Sequence, residues 1–299
     1  MSATPKLVWP DRRAYPFAHR ELPTSKGRLA FVEEGVGPIV VFLHGHLGWS
    51  YTFRRTIAEL AKTHRVIALD LLGFGRSQKP ETALTPAEHA RIVCDFLSGK
   101  GIENATLVAH EAGVAIGMAA LADRPTLFSR LLLANGTFRS ADPGSPEEKA
   151  AKAAAGLLGG LAYERANPAA LAGPLFREKA LFDKPTHDAY HGPFELKTHR
   201  AGPRRLAAAP VTDGKWLDHL WGKRVELLDR PTLLFWGMKD PLHGERCLDG
   251  LWHAVPAAEV ERHPEAGAFA VEERADALAA AVARLASGAV DHSQAIRLV

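Results

Sequence analysis

The stretch LVAHEAGVAIG, Leu107 to Gly117, decides the reading of this sequence. Ala105-Thr106-Leu107-Val108-Ala109 is a short apolar run with the character of a buried strand, and the run from Gly113 onward has the character of a helix. His110-Glu111-Ala112 lies at the junction. A sharp strand-to-helix turn is where one class of enzymes presents a nucleophilic Ser, Asp or Cys beside the N-terminus of the helix. Here the central residue is Glu111.

On either side of this junction, strand-like and helix-like segments alternate. Ile39-Val40-Val41-Phe42-Leu43 is a continuous apolar run ending at His44-Gly45, as expected of a strand buried on both faces. Tyr51 to Lys62 has helical spacing, with Phe53, Ile57 and Leu60 on one side. Arg65 to Leu69 is a second strand ending at Asp70. Pro86 to Leu97 is a helix with Thr85 as N-cap. The strand 105–109, a helix from Gly113 to about Ala122 and a strand from Arg130 to Ala134 come next. This rhythm predicts a parallel sheet with helices on both faces. It breaks from about Ser140 to Arg230, where no strand-like run occurs. Lys149 to Leu161 is Ala- and Leu-rich, and Pro168, Pro174, Pro185, Pro193, Pro203 and Pro210 punctuate the rest of that stretch. Thr232 to Gly237 resumes the strands, Ala258 to Arg262 is a weaker last strand, and Glu272 to Leu285 closes with a helix. The expected organisation is a core over 1–138 and 230–288, a helical cap over 139–229 and a tail over 289–299.

Composition narrows the function class. The chain has 299 residues, 46% hydrophobic and 24% charged, with a net charge of +3 from 37 basic and 34 acidic side chains. That balance calls for neither nucleic acid nor an anionic membrane as partner. No apolar run approaches the ~18 residues of a membrane span. The N-terminal stretch has no apolar core of the signal-peptide kind. Cys94 and Cys247 are far apart and form no disulfide framework or metal motif, so a reduced, cytoplasmic setting is expected. No regular ligand spacing suggests a metal, and no cofactor is expected. Gly73-Phe74-Gly75 lacks the surroundings of a phosphate loop.

Five segments, in order, carry a family resemblance. VFLHGHLGWS (41–50), DLLGFGRSQKP (70–80), LVAHEAG (107–113), LLFWGMKDP (233–241) and EAGAFAVEE (265–273) resemble the oxyanion loop, the Asp-x-x-Gly-x-Gly-x-Ser loop, the nucleophile elbow and the acid- and histidine-bearing loops of α/β-hydrolases. The resemblance spans about residues 28–286. WGMKDP and QKP point to the haloalkane dehalogenases and the related β-lactone decarboxylases of olefin biosynthesis. It implies an α/β-hydrolase fold, a mostly parallel sheet with a helical cap inserted after the sixth strand. It also implies a carboxylate nucleophile, a water-activating histidine and an acid that orients it. The sequence departs at most of these places. The elbow residue is Glu111 in place of Asp, and the next, often Trp, is Ala112. The residue after His44-Gly45, often Asn, is His46. The histidine position is Ala268, within Ala266-Gly267-Ala268-Phe269. Asp240 alone holds the expected acid.

The residues allow a substitute pair. In the family template the residue at 46 borders the pocket of the elbow, so His46 is expected to face Glu111 as an acid/base partner. The catalytic candidates are therefore Glu111, Asp240 and His46. His46, Ala112, Ala268, Trp216 and Trp221 are candidates for the oxyanion and substrate-binding lining. Phe176, Phe182, Phe194, Leu171 and Leu175 divide between an apolar cavity and the interior of the cap. His44 and His110 read as structural, His243 as an exposed loop histidine, and Glu272-Glu273 as a helix start favoured by the dipole. Arg200, Arg204 and Arg205 read as a solvated basic face. Two readings stay open. One is a divergent enzyme using Glu111 as nucleophile or general base on a small apolar halide, epoxide, ester or lactone. The other is a catalytically inactive relative binding an apolar ligand or partner.

Overall fold

The computed structural model describes residues 9–288, and the tail expected over 289–299 lies outside them. Eight strands form one sheet: β1 (His19–Thr24), β2 (Gly27–Glu34), β3 (Ile39–Leu43), β4 (Arg65–Asp70), β5 (Ala105–His110), β6 (Phe128–Ala134), β7 (Thr232–Gly237) and β8 (Glu259–His263). Their spatial order is β1-β2-β4-β3-β5-β6-β7-β8. β1, β2 and β4 pair antiparallel in turn, and every other pairing is parallel. The family fold expected from the sequence is thus present.

The sheet is buried on both faces because its central strands each carry a continuous apolar run. Val41, Leu43, Ile67, Leu69, Leu107, Ala109, Leu131 and Leu133 point to one core layer. Val40, Phe42, Val66, Ala68, Val108 and Leu132 point to the other. This is the alternation a strand imposes, with apolar residues on both phases. Helices α1 (Arg54–Leu60), α2 (Pro86–Gly99) and α3 (Ala112–Asp123) connect the parallel strands. α2 opens on a capping box: Thr85 accepts from the Glu88 N–H while the Glu88 carboxylate accepts from the Thr85 N–H.

Three sequence expectations change. The alternation of apolar runs does not reveal β1 and β2. β1 reads HRELPT, is mostly exposed and contains Pro23, as an edge strand can. It has no apolar periodicity to mark it. β2 carries the buried run Leu29–Val32, a usable signal. The helix expected over 149–161 is two: α4 (Pro146–Ala155) and α5 (Leu157–Arg165), interrupted at an extended Gly156. The closing helix is likewise divided at Arg274 into α12 (Ala270–Glu273) and α13 (Ala275–Ala286).

Between β6 and β7 the described residues form helices only. After α4 and α5 come α6 (Pro168–Ala172), α7 (Lys184–His191), α8 (Ala201–Thr212), α9 (Gly214–Gly222) and α10 (Arg224–Leu227). α11 (Glu245–Ala254) lies after β7. Buried polar groups join this cap to the core. Trp49 Nε1 donates to the Ala189 carbonyl at 3.1 Å, and the Tyr190 hydroxyl donates to Glu272 Oε2 at 2.5 Å. Glu272 also pairs with Arg54. Glu273 accepts from the backbone N–H groups of Arg177 and Gly267. Glu272 and Glu273 are therefore buried staples as well as a helix start. No described helix is long and apolar enough to cross a membrane.

Candidate active site

Glu111 sits between β5 and α3 with φ 50° and ψ −119°, a conformation that costs a non-glycine residue about 1–3 kcal/mol. Its N–H donates to the Ala134 carbonyl at 3.0 Å, and its carbonyl accepts from Val114 at 2.9 Å. Close packing of glycines holds the turn. A Cβ on Gly136 would lie 2.5 Å from the Glu111 carbonyl oxygen and 2.6 Å from its Cα. A Cβ on Gly113 would collide with the Leu43 carbonyl. The strained elbow that the family template implies is thus built by backbone contact on two sides.

The Glu111 carboxylate folds toward the loop after β3. Oε2 accepts the His46 backbone N–H at 2.6 Å, and His46 Nδ1 lies 2.8 Å from the same oxygen. The ring contact is not an aligned hydrogen bond. The N–H groups of the loop after β3 and of the residue after the elbow together form the oxyanion hole of this fold. Of these, the N–H of His46 in the loop after β3 donates to Glu111 Oε2. Burial pushes the carboxyl up, but His46, His243 and the Ala112 N–H outweigh it and hold it well below the usual carboxylate range. Glu111 is ionised at neutral pH.

Asp240, on the loop after β7, is buried. Its Oδ1 accepts the Leu242 N–H at 2.8 Å, and its Oδ2 accepts from Asn135 Nδ2 at 3.0 Å. Asn135 comes directly after β6 with a positive φ of 39°, and it also exchanges hydrogen bonds with the N–H and carbonyl of Gly237. It locks the acid loop, and the sequence reading misses it. Its signal is an Asn-Gly pair at a strand end, the kind of site that takes positive φ.

His243 departs from expectation. It is 5% exposed, not a loop residue in solvent. Nδ1 lies 3.5 Å from Asp240 Oδ2 and Nε2 lies 3.5 Å from Glu147 Oε1 of α4. Burial alone would lower its pKa; the two carboxylates overcome burial and raise it well above the ordinary value. The imidazole is therefore held as a cation.

His44 and His110 are neutral. His44 accepts the Leu71 N–H on Nε2 at 3.0 Å, so Nδ1 carries the proton and donates to the Gly45 carbonyl at 2.8 Å. Burial lowers its pKa to about 4. His110 donates from Nε2 to the Ala268 carbonyl at 2.7 Å and is lowered by burial. Its Nδ1 is buried without a partner.

Two cavities flank the carboxylate. One is lined by Gly45, His46, Glu111, Asp240, His243 and Ala268 among others, and the second by Glu111, Ala112, Glu147, Leu206, Leu217 and His243 among others. Their voids of about 20 and 30 Å³ hold roughly one water each. Leu175 from the cap lines the first. Trp216 and Trp221 border neither. On α9 the helical period turns Leu217 and Leu220 inward and leaves the two tryptophans at the edges, where Trp221 packs on Phe138. Of the apolar cap residues, Phe176 stacks on Phe269 within the second core layer. The basic face is also reorganised: Arg205 pairs with Asp213, and Arg204 donates to the Ala154 carbonyl at the end of α4. Among the described residues no group of three His, Cys, Asp or Glu is arranged to hold a metal.

Known proteins are similar to this chain. The family model described as alpha/beta hydrolase fold matches residues 38–275. Haloalkane dehalogenase 2 of Mycobacterium tuberculosis is 28% identical over 295 residues, covering 91% of this chain and 96% of that protein. The cis-3-alkyl-4-alkyloxetan-2-one decarboxylase of Shewanella oneidensis is 27% identical over 275 residues, covering 87% and 86%. The crystal structure of haloalkane dehalogenase DbeA from Bradyrhizobium elkani superposes with a TM-score of 0.82 at 22% identity, covering 91% and 98%. At that identity the likeness speaks for the fold. With the elbow, the two acid-side loops and the inserted helices all in place, the chain belongs to the α/β-hydrolase fold family, close to the haloalkane dehalogenases.

Proposed function

We propose that this chain is a divergent dehalogenase-like enzyme in which Glu111 is the nucleophile toward a small apolar electrophile. The observation that carries this reading is the placement of the carboxylate: ionised, at a strained elbow, with Oε2 held by the His46 N–H at 2.6 Å. A carboxylate held so far below the usual range is a weak general base, since proton abstraction favours a pKa near the working pH. It remains an anion able to attack carbon. Because Oε2 occupies the His46 N–H, an ester or lactone carbonyl would find that donor taken. A saturated carbon bearing a halide or an epoxide oxygen fits better. Glu111 Oε1 would form a bond to that carbon, and the leaving atom would depart with the bonding electrons. Hydrolysis of the resulting ester places its tetrahedral oxyanion on Oε2, where the His46 N–H already donates.

A second reading has observations of its own. Ala268 removes the family's water-activating group, and the two voids described beside Glu111, about 20 and 30 Å³, are each the size of roughly one water. These favour an inactive relative that binds a ligand after opening. Intact-protein mass spectrometry separates the two, after incubation with haloalkanes, epoxides, activated esters and β-lactones and with Glu111→Gln as control. An alkyl adduct or a hydrolysed product that vanishes in the control supports the nucleophile. Neither adduct nor product across the panel transfers the weight to the inactive reading.

A further inference from the structure

Resting on the nucleophile reading, we propose that His243, oriented by Asp240, supplies the water-activating base lost at residue 268, and that Glu147 of the cap latches it shut until the cap moves. The base has changed loops, from the one after β8 to the one after β7, while keeping the same acid.

The geometry is specific. Asp240 is fixed by Asn135 and the Leu242 N–H, so its Oδ2 presents a fixed acceptor to His243 Nδ1. That contact uses Nδ1 and leaves Nε2 free of Asp240. His243 and Glu111 line both cavities, so both border the space that a water in either would occupy. In the closed structure Nε2 is taken by Glu147, in the first turn of α4. A doubly paired imidazolium cannot accept a proton. Other groups near it are Glu111 at the elbow, His110 at the end of β5 and the Cys247 thiol of α11. Of the carboxylates nearest the ring, Glu147 alone belongs to the cap, so cap displacement removes that one charge and leaves Asp240 in place.

Opening of α4 lets the imidazolium release its proton to solvent. In the alkylated enzyme, water then attacks Cδ of Glu111 and gives its proton to Nε2. The tetrahedral carbon collapses, the bond from Cδ to Oε1 breaks, and the departing alkoxide, which carries Oε1, takes the proton back from Nε2. Glu111 is left as the carboxylic acid with one oxygen from water, and it returns to the carboxylate by giving that proton to solvent. Loss of a general base of this kind slows a step by about 10²- to 10⁴-fold.

The test uses the full chain. Histidine NMR tracks the His243 titration in wild type and Glu147→Gln, and intact mass spectrometry tracks the lifetime of the adduct left by a haloalkane or epoxide. In Glu147→Gln the His243 midpoint should fall and the adduct lifetime at pH 7 should shorten. In His243→Gln the adduct should still form but persist at least about 100-fold longer. In His243→Ala, added imidazole should shorten that lifetime again, which a merely structural loss would not allow. An unchanged midpoint in Glu147→Gln overturns the latch. An unchanged lifetime in His243→Gln, or a lengthened one in His110→Gln only, overturns the base. If wild type forms neither adduct nor product, the nucleophile reading fails and takes the base with it, whereas the midpoint shift tests the latch regardless.

Discussion

Gly45→Ala tests the seat of Glu111 directly. Gly45 has no special backbone requirement, so the change acts through its new methyl alone. That Cβ would stand 2.6 Å from Glu111 Oε2 and 2.8 Å from Glu111 Cβ. An ordinary carbon contact needs about 3.5 Å, so the carboxylate must retreat by about 1 Å. The hydrogen bond from the His46 N–H, 2.6 Å long, then stretches to about 3.6 Å and is lost. A buried N–H left without its acceptor costs about 1–3 kcal/mol. A reacting group displaced by about 1 Å loses on the order of 100-fold in rate. The assay is the rate of adduct formation with the best electrophile, read beside a thermal melt. Slower alkylation by about two orders of magnitude, with a lower Tm, is the expected pair of results. Alkylation at the wild-type rate with an unchanged Tm would refute the placement of Oε2 on the His46 N–H.

Ala268→His should not restore the family triad. The void beside Ala268 is about 20 Å³, so an imidazole overpacks it and a melt should show a loss of about 1–3 kcal/mol. Tyr190→Phe removes a 2.5 Å hydrogen bond to the buried Glu272 carboxylate and should cost about 1.5–3 kcal/mol, read by chemical denaturation. The two shifted groups of the site oppose each other in pH. Glu111, depressed in the fold, stabilises above the unfolded carboxyl value and loses that contribution as pH falls through its folded value. His243, raised in the fold, contributes fully below the ordinary histidine value of about 6.5 and loses it as pH rises through its folded value. Thus the Tm gap between wild type and Glu111→Gln should narrow only in acid, and that to His243→Gln only above neutrality. Stability profiles of the three proteins against pH check both.

Much of the architecture is open to a reading of the chain because its causes are local. The strands β3 to β7 are continuous apolar runs, as a strand covered on both faces must be. Thr85, Pro86 and Glu88 announce a helix start by chemistry within four residues. The position of the elbow and the facing of His46 and Glu111 are likewise legible, the last through the order of loops in the family template.

The features that escape the sequence depend on partners distant along the chain. The polar edge strand β1 takes its structure from pairing with β2, not from its own residues. His46 and Glu111 meet across 65 residues and Asn135 and Gly237 across 102, so no periodicity records how closely they fit. His243 reads as a surface loop residue because the carboxylate that covers its far side, Glu147, comes from a helix inserted almost a hundred positions earlier. Trp216 and Trp221 read as pocket walls because their apolar character is visible and the rotation of α9 is not. Local hydrophobic and conformational preference thus sets which segments form the sheet and where the reactive turn lies, and both are written along the chain. Which backbone N–H holds the Glu111 carboxylate, which histidine lies buried between two carboxylates and which cap residues reach the core are settled only in three dimensions. Each depends on distances between atoms that the fold brings together from far apart in sequence.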